Sequence, residues 1–314
     1  MAICPYCPYM MEPNIMIRKL AEILPALQNR PVKRLVAVNA VDEHTLDAVE
    51  EAVKAGFIQA TLTGDPEKIG ATCRKMGIDQ GMFTIIPAYS EEEAAVKGIE
   101  LVASGQANIL MKGLLSTDKY MRAILNKDMG LVSPKAILSH VAVMENSEYH
   151  KLLIVSDVAI IPYPDLSQKI VQTGYLIRVA GMLGIDIPKV ALIAATEQVL
   201  AAIPACTDAA VISKMAERGQ IPGAIVDGPL AFDVAIDRES AEIKKITSPV
   251  AGDADCLLFP NIDSGNVFYK MNTKMCHSEQ AAIVMGAKVP VVLSSRGDTM
   301  LTKFYSIALA ALMA

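Results

Sequence analysis

Short apolar runs alternate with stretches whose apolar residues recur every third or fourth position, and this alternation continues along almost the whole chain. Leu35-Val36-Ala37-Val38 reads as a strand, after which Leu46, Val49 and Val53 fall on one face of a helix ending at Gly56. A second strand is predicted over 57–63. Asp65-Pro66 then opens a helix, since Asp accepts bonds from first-turn amides and Pro fits the first helical position; Gly77 marks its end. Ser90 with Glu93 three residues on predicts a capping box and a helix to about Ser104. Further strands are predicted over 107–111, 136–143, 152–155, 158–161, 190–194, 224–226, 256–259 and 289–293. Helices are predicted near 166–183 and from about Thr299 to the end.

No repeat, low-complexity tract or linker rich in Pro, Gly or Ser interrupts this order. Strand–helix alternation predicts an α/β class with parallel sheets and right-handed crossovers. Ligands in such folds bind beyond the carboxyl ends of strands, which selects three segments: 112–117, 261–270 and 294–299.

Composition sharpens the picture. Apolar residues make up 52% and charged ones 20%, with 5% aromatics and no Trp, an aliphatic balance suited to strands covered on both faces. The net charge is −5 and no run of Lys or Arg occurs, which excludes nucleic acid and an anionic membrane surface as partners. The apolar run 304–314 is too short to span a bilayer. The six cysteines are scattered except for Cys4-Pro5-Tyr6-Cys7, so a reducing, cytoplasmic setting is expected. No apolar strand precedes that pair, so it reads as part of a disordered or mis-started N-terminus, with Met11 as another start, rather than as a redox motif.

Absent motifs narrow the chemistry. The sequence has no Gly-x-Gly, no Gly-Lys-Ser or Gly-Lys-Thr, no Gly-x-Ser-x-Gly and no His-Glu-x-x-His, and its four histidines are far apart. No metal site is expected. What remains is hydroxyls, amides and a few cations. Ser294-Ser295-Arg296-Gly297-Asp298-Thr299 can aim helix amides, hydroxyls and a guanidinium fork at a tetrahedral oxyanion, or can simply cap a helix beside a surface Arg. Asp298 can pair with Arg296 or cap that helix. Lys112-Gly113-Leu114-Leu115-Ser116-Thr117-Asp118 has the same logic, with Ser116 or Thr117 either capping or holding phosphate. In 260–270, Asn266 can cap a helix toward Met275, with Lys270 one turn on along the same face. His140 and His277 read as packing or surface residues, and Met121, Met129 and Met182 as core filler.

Taken together and in order, Lys112–Thr117, Asp227-Gly228-Pro229-Leu230-Ala231-Phe232-Asp233, Asp263-Ser264-Gly265-Asn266-Val267-Phe268-Tyr269-Lys270 and Ser294–Asp298 resemble the phosphate acetyl/butyryl transferase family. The likeness covers roughly 33–314. Lys112-Gly113-Leu114 and the Asp-Gly-Pro-Leu stretch resemble the butyryl branch more than the acetyl branch. The resemblance implies two α/β domains around a cleft, as in isocitrate and isopropylmalate dehydrogenases. Residues 1–134 plus 289–314 would form the first and 135–288 the second, which would carry a homodimer or higher homo-oligomer contact. It also implies the reaction acyl-CoA plus phosphate to acyl phosphate plus CoA, by direct transfer in a ternary complex, with coenzyme A as substrate and no bound cofactor. On that basis Arg296, Ser295 and Asp298 are the expected catalytic residues, and Lys112, Ser116, Thr117, Gly265, Asn266 and Lys270 the expected substrate-binding ones. Acetyl members are read as using a carboxylate where this chain has Thr302, and Asp298 is its expected substitute. A phosphate acetyltransferase, a metal- and NAD-dependent dehydrogenase of the same architecture and a non-catalytic binding protein are the rivals. The dehydrogenase lacks its nucleotide loop and clustered Asp ligands here. Leu114, Leu115, Leu230 and Phe232 are candidates for an acyl pocket.

Overall fold

The apolar runs of the sequence become strands of one continuous sheet, and the amphipathic stretches cover it. The computed structural model describes residues 16–294 and 297–314; Cys4, Cys7, Ser295 and Arg296 lie outside the described residues. The first part of the chain forms α1 (Ile23–Leu27), β1 (Lys33–Val38), α2 (Glu43–Lys54), β2 (Ile58–Gly64), α3 (Pro66–Met76), β3 (Thr84–Pro87), α4 (Glu91–Ala103), β4 (Ile109–Lys112) and α5 (Thr117–Ile124). There follow β5 (Ser139–Glu145), β6 (Leu153–Ser156), α6 (Leu166–Met182), β7 (Lys189–Ile193), α7 (Pro204–Glu217), β8 (Ile225–Leu230), α8 (Phe232–Ile236) and α9 (Arg238–Ile243). The chain closes with β9 (Cys256–Leu258), α10 (Ile262–Lys274), β10 (Glu279–Met285), β11 (Val291–Val292) and α11 (Met300–Met313).

The strand order is β3-β2-β1-β4-β11-β10-β5-β6-β9-β7-β8. Strands β3, β2, β1, β4 and β11 are mutually parallel, as are β6, β9, β7 and β8. β10 runs antiparallel to both β11 and β5, and β5 antiparallel to β6, so the two parallel blocks point in opposite directions. The α/β class therefore holds, but the sheet is mixed rather than parallel throughout. β10 escapes a reading by period because Ala281-Ala282-Ile283-Val284-Met285 is a continuous apolar run that fits a buried helix as well as a strand. β3 escapes it as a four-residue edge strand, only partly buried and ending in Pro.

Local rules explain most helix starts. Asp65 accepts from the Glu67 amide at 3.0 Å, with Pro66 in the first turn and Gly77 at φ +73° closing the helix. Ser90 caps α4 through the Glu93 amide, but the Glu93 carboxylate reaches the Tyr89 amide at 2.8 Å, one residue earlier than a capping box requires. Helix α11 is buried from Ile307 to Met313 and docks on β10, where the Ala282 amide donates to Ser306 Oγ at 2.9 Å. Its near-complete apolar circumference is thus the sign of a helix enclosed by protein.

Two predicted elements change character. Residues 158–161 are not a strand, because the amides of Ala159, Ile160 and Ile161 donate to the Asp157 carboxylate and leave no ladder to build. Residues 261–270 form the cap and opening turns of α10, which starts several residues before the helix that the sequence suggests from Asn266.

The connection after β4 is pressed onto the end of β1. The Gly113 amide donates to the Val38 carbonyl at 2.9 Å and the Leu114 amide to the Asn39 carbonyl at 3.0 Å. A Cβ on Gly113 would stand 2.5 Å from the Val38 oxygen and 2.6 Å from the Asn39 oxygen. Gly113→Ala must displace main chain, so it is expected to lower stability by about 1–3 kcal/mol. A urea midpoint that stays where the wild type has it would contradict this packing.

Candidate active site

A cleft of about 540 Å³ opens between the two parallel blocks, where β10 and β5 join them. Its walls come from four separated parts of the chain: the turn after β4, the start of β5 with the turn after β6, the opening of α10, and the turn between β11 and α11.

The first wall carries Lys112, Leu115, Ser116 and Thr117. Lys112 ends β4 and is buried, its ammonium within 3.5 Å of the Gly113 carbonyl. Ser116 caps α5 by accepting the Lys119 amide at 3.2 Å. Capping leaves the hydroxyl proton available for donation, so the two readings of Ser116 coexist. Thr117 is the first residue of α5 and exposed to the cleft. Only Leu115 of the four acyl-pocket candidates lines the cleft; Leu114 faces solvent, and Leu230 and Phe232 pack with Phe268 in a separate core.

The second wall hangs on Asp157, which is 2% exposed. Its carboxylate accepts from Ser139 Oγ at 2.8 Å, the His140 amide at 3.2 Å, the Ala159 and Ile160 amides at 2.8 and 2.9 Å, and the Ile161 amide at 3.3 Å. A carboxylate tolerates burial when donors surround it this way. His140, which the sequence reads as a packing or surface residue, is buried at 3% exposure and lines the cleft, edge-on to Tyr269 at a ring separation of 6.1 Å. Burial lowers the pKa of its imidazole; the carboxylates of Asp157 and Asp298 and the main chain at Leu293 pull the other way.

The third wall is α10. Asn261, not Asn266, caps it, accepting the Ser264 amide and hydroxyl at 3.0 Å each. Ser264 three residues on completes that cap, whereas Asn266 already lies inside the helix. Asn266 Nδ2 donates to the Val158 carbonyl at 2.8 Å, and Lys270 shares its face of the cleft, as the four-residue spacing predicts. Gly265 does not line the cleft; a Cβ there would stand 2.3 Å from the Asp157 carbonyl oxygen, so this glycine permits α10 to approach. Tyr269 has its pKa raised by burial and by Asp298.

The fourth wall carries Ser294 and Asp298, flanking the two residues outside the described structure. Thr299, rather than Asp298, caps α11 by accepting the Thr302 amide at 3.1 Å. Thr302 is buried in that cap and does not line the cleft. Behind Ser294 stands Lys303, 4% exposed, donating to its hydroxyl at 2.9 Å. Burial lowers the Lys303 pKa against the opposing pull of Asp42 and Asp298. The cleft thus gathers Lys112, Ser116, Thr117, Asn266, Lys270 and Asp298, all expected from sequence, and adds His140, Tyr269 and, from behind the wall, Lys303. Among the described residues no three His, Cys, Asp or Glu side chains group as metal ligands. The arrangement offers cations, hydroxyls and helix amides to an anion, with an imidazole and a phenol beside it.

A model of the family described as "Phosphate acetyl/butaryl transferase" matches residues 89–311. The chain is 44% identical to phosphate butyryltransferase of Clostridium acetobutylicum, over 95% of this chain and 99% of that protein. It is 39% identical to phosphate acetyltransferase of Thermotoga maritima, over 90% of this chain and 95% of that protein. Its structure is similar to the branched-chain phosphotransacylase of Enterococcus faecalis, with a TM-score of 0.80 and 30% identity over 90% of this chain and 99% of that one.

Asp157→Asn keeps one acceptor oxygen but turns an NH₂ group toward the Ser139 hydroxyl and two backbone amides, leaving buried donors without acceptors. With each lost pairing costing about 1–3 kcal/mol, the variant is expected to lose roughly 3 kcal/mol or more. Chemical denaturation checks this, and a variant as stable as the wild type would show that the carboxylate does not hold this wall.

Proposed function

The chain belongs to the phosphate acetyl/butyryl transferase family, and on that premise we propose that it passes a short acyl group between coenzyme A and inorganic phosphate. The observation that carries this reading is the convergence, in one cleft, of side chains from four sequence segments suited to a phosphate beside a thioester. Phosphate is held by Arg296, whose planar fork fits two of its oxygens, with Ser295, Ser116 and Thr117 as further donors. The first-turn amides of α5 supply the positive end of a helix to the same anion.

Acyl transfer passes through a tetrahedral intermediate, whose oxyanion needs a donor. Asn266 has two amide protons; one binds the Val158 carbonyl and the other is available to the thioester oxygen. Lys112 and Lys270 bring positive charge to the substrates, and Asp298 takes the place among catalytic residues that Thr302, buried in its cap, cannot fill. Both substrates sit in the cleft together, so the acyl group moves directly and much of the rate comes from positioning. Coenzyme A is a substrate here and no permanent cofactor takes part.

The division into lobes 1–134 plus 289–314 and 135–288, similar to isocitrate and isopropylmalate dehydrogenases, is supported by the two parallel blocks of opposite direction. A cytoplasmic enzyme fits the described residues, none of whose helices is long and apolar enough to cross a membrane. A homodimer or larger assembly through the second lobe accords with exposed Val199, Val211 and Ile243.

A butyryl-type substrate is favoured by the 44% identity to a phosphate butyryltransferase and by the Lys112-Gly113-Leu114 turn. The test is phosphate-dependent CoA release from acetyl-, propionyl-, butyryl- and isobutyryl-CoA. Four-carbon substrates are expected to react fastest, and Arg296→Ala to lower kcat/KM by about 10²–10³-fold. Fastest turnover of acetyl-CoA makes the chain a phosphate acetyltransferase instead, and no release from any thioester leaves a binding protein on this fold.

A further inference from the structure

Acyl transfer between sulfur and phosphate moves a proton as well as an acyl group. Acyl-CoA and the hydrogen phosphate dianion give acyl phosphate dianion and CoA thiol, so the proton that phosphate brings must end on sulfur. The bond from carbon to oxygen forms, the bond from carbon to sulfur breaks, and charge is conserved only if that proton is carried across.

His140 is placed for this. Its backbone amide is fixed to the Asp157 carboxylate at 3.2 Å, and its ring lines the cleft between Tyr269 and the turn that bears Asp298. The ring is 3% exposed, and Nδ1 is buried with no hydrogen-bond partner among the described residues. As packing that is a poor choice, because an unpaired buried nitrogen costs about 1–3 kcal/mol that an aliphatic side chain would avoid. The charged and titratable groups around the ring are Asp157, Asp298 and Tyr269, with Lys112 and Lys270 on the same cleft. Two carboxylates can support an imidazolium for the lifetime of the intermediate. Tyr269, its pKa raised, stays protonated near neutrality and cannot serve as the base.

We propose that His140 carries the proton between phosphate and the CoA sulfur. The proposal rests on the acyl-transfer reading above. In the phosphate-consuming direction the neutral imidazole takes the proton of hydrogen phosphate as its oxygen adds to the thioester carbonyl. The tetrahedral intermediate collapses, sulfur leaves with the electron pair of the carbon–sulfur bond, and the imidazolium returns the proton to it. The phosphate oxygen and the sulfur are bonded to one carbon, so one imidazole serves both. In the reverse direction it takes the thiol proton first. Burial keeps the ring neutral at neutral pH, the form each direction needs at its start.

The experiment is the pH dependence of acyl-CoA formation from butyryl phosphate and CoA, for the full chain and for H140Q, with phosphate-dependent CoA release alongside. The wild-type rate is expected to fall on the acid side with a midpoint below about 6.5, as a lowered imidazole pKa requires. H140Q is expected to be about 10²–10⁴-fold slower at pH 7. Its rate should climb about tenfold per pH unit, because thiolate must then come from solution. A loss equal at every pH, or no loss, overturns the relay and leaves His140 a packing residue. Should H140Q fail to fold, the wild-type profile decides, and the absence of an acid limb overturns the proposal. A wild type inactive in both directions removes the reaction itself, which distinguishes that failure from an active enzyme whose H140Q profile is unchanged in shape.

Discussion

The Asp157 carboxylate, buried at 2% exposure beneath five N–H and O–H donors, fixes more of the cleft than any other single contact. A charge at that depth is stable only while its donors stay in place, so the donors are held as firmly as the charge. Three of them curl 159–161 around the carboxylate, which ends β6 and sets Val158 against the cleft. A fourth is the amide of His140, which places that ring at the start of β5. The Asp157 carbonyl in turn meets α10 so closely that only Gly265 fits, and one residue later Asn266 binds Val158. Position passes from one buried carboxylate through main chain to the side chains that line the cleft.

The other half of the cleft is organised by close main-chain contact and by buried ammonium groups. Gly113 lets the turn after β4 lie on the end of β1, so that Lys112 points into the interior and Ser116 begins α5 at the rim. Lys303 is the one charged residue of α11 and donates to Ser294, the residue just before Ser295 and Arg296. Because the two halves belong to sheet blocks of opposite direction, the contacts β11 makes with β4 and β10 govern their spacing. β11 is only two residues long, so the polar turn that follows it begins at the cleft wall rather than beyond it.

What the sequence made legible was what adjacent residues decide among themselves. Caps at Asp65 and Ser90, the stop at Gly77 and the strand–turn–helix order around 112–117 follow from local hydrogen-bonding rules, and the structure keeps them. Lys112, Ser116, Thr117, Asn266, Lys270 and Asp298, which line the cleft, were legible for the same reason, since each of their segments joins a strand to a helix. Distant partners hid the rest. Residues 158–161 have strand composition, and only the Asp157 carboxylate turns them away from a ladder. Asn261 and Asn266 both fit a cap, and Ser264 decides between them. His140 sits in a run of strand residues and Lys303 in a run of core residues, so nothing nearby in sequence separates a cleft-facing imidazole or a buried ammonium from filler. The mixed sheet was hidden likewise, because pairing direction is a property of strands far apart in the chain.

The low pKa directions of His140 and Lys303 acquire meaning when the cleft is considered with its anion. Burial makes both groups reluctant to hold a proton. On the proposed reading, a phosphate dianion in the cleft adds to the pull that Asp157 and Asp298 exert on the imidazole and Asp42 and Asp298 on the ammonium, and nearby opposite charge favours the protonated form. On the same reading, binding of phosphate makes the imidazole more basic when a proton has to be taken, and favours the charged form of the ammonium that donates to Ser294. The reciprocal also holds: whatever protonation the anion favours strengthens the hold on the anion. Surface lysines would couple to the anion more weakly, since solvent and salt screen exposed charges. On that reading, the burial that lowers both pKa values is also what lets a bound anion influence the charge of these groups.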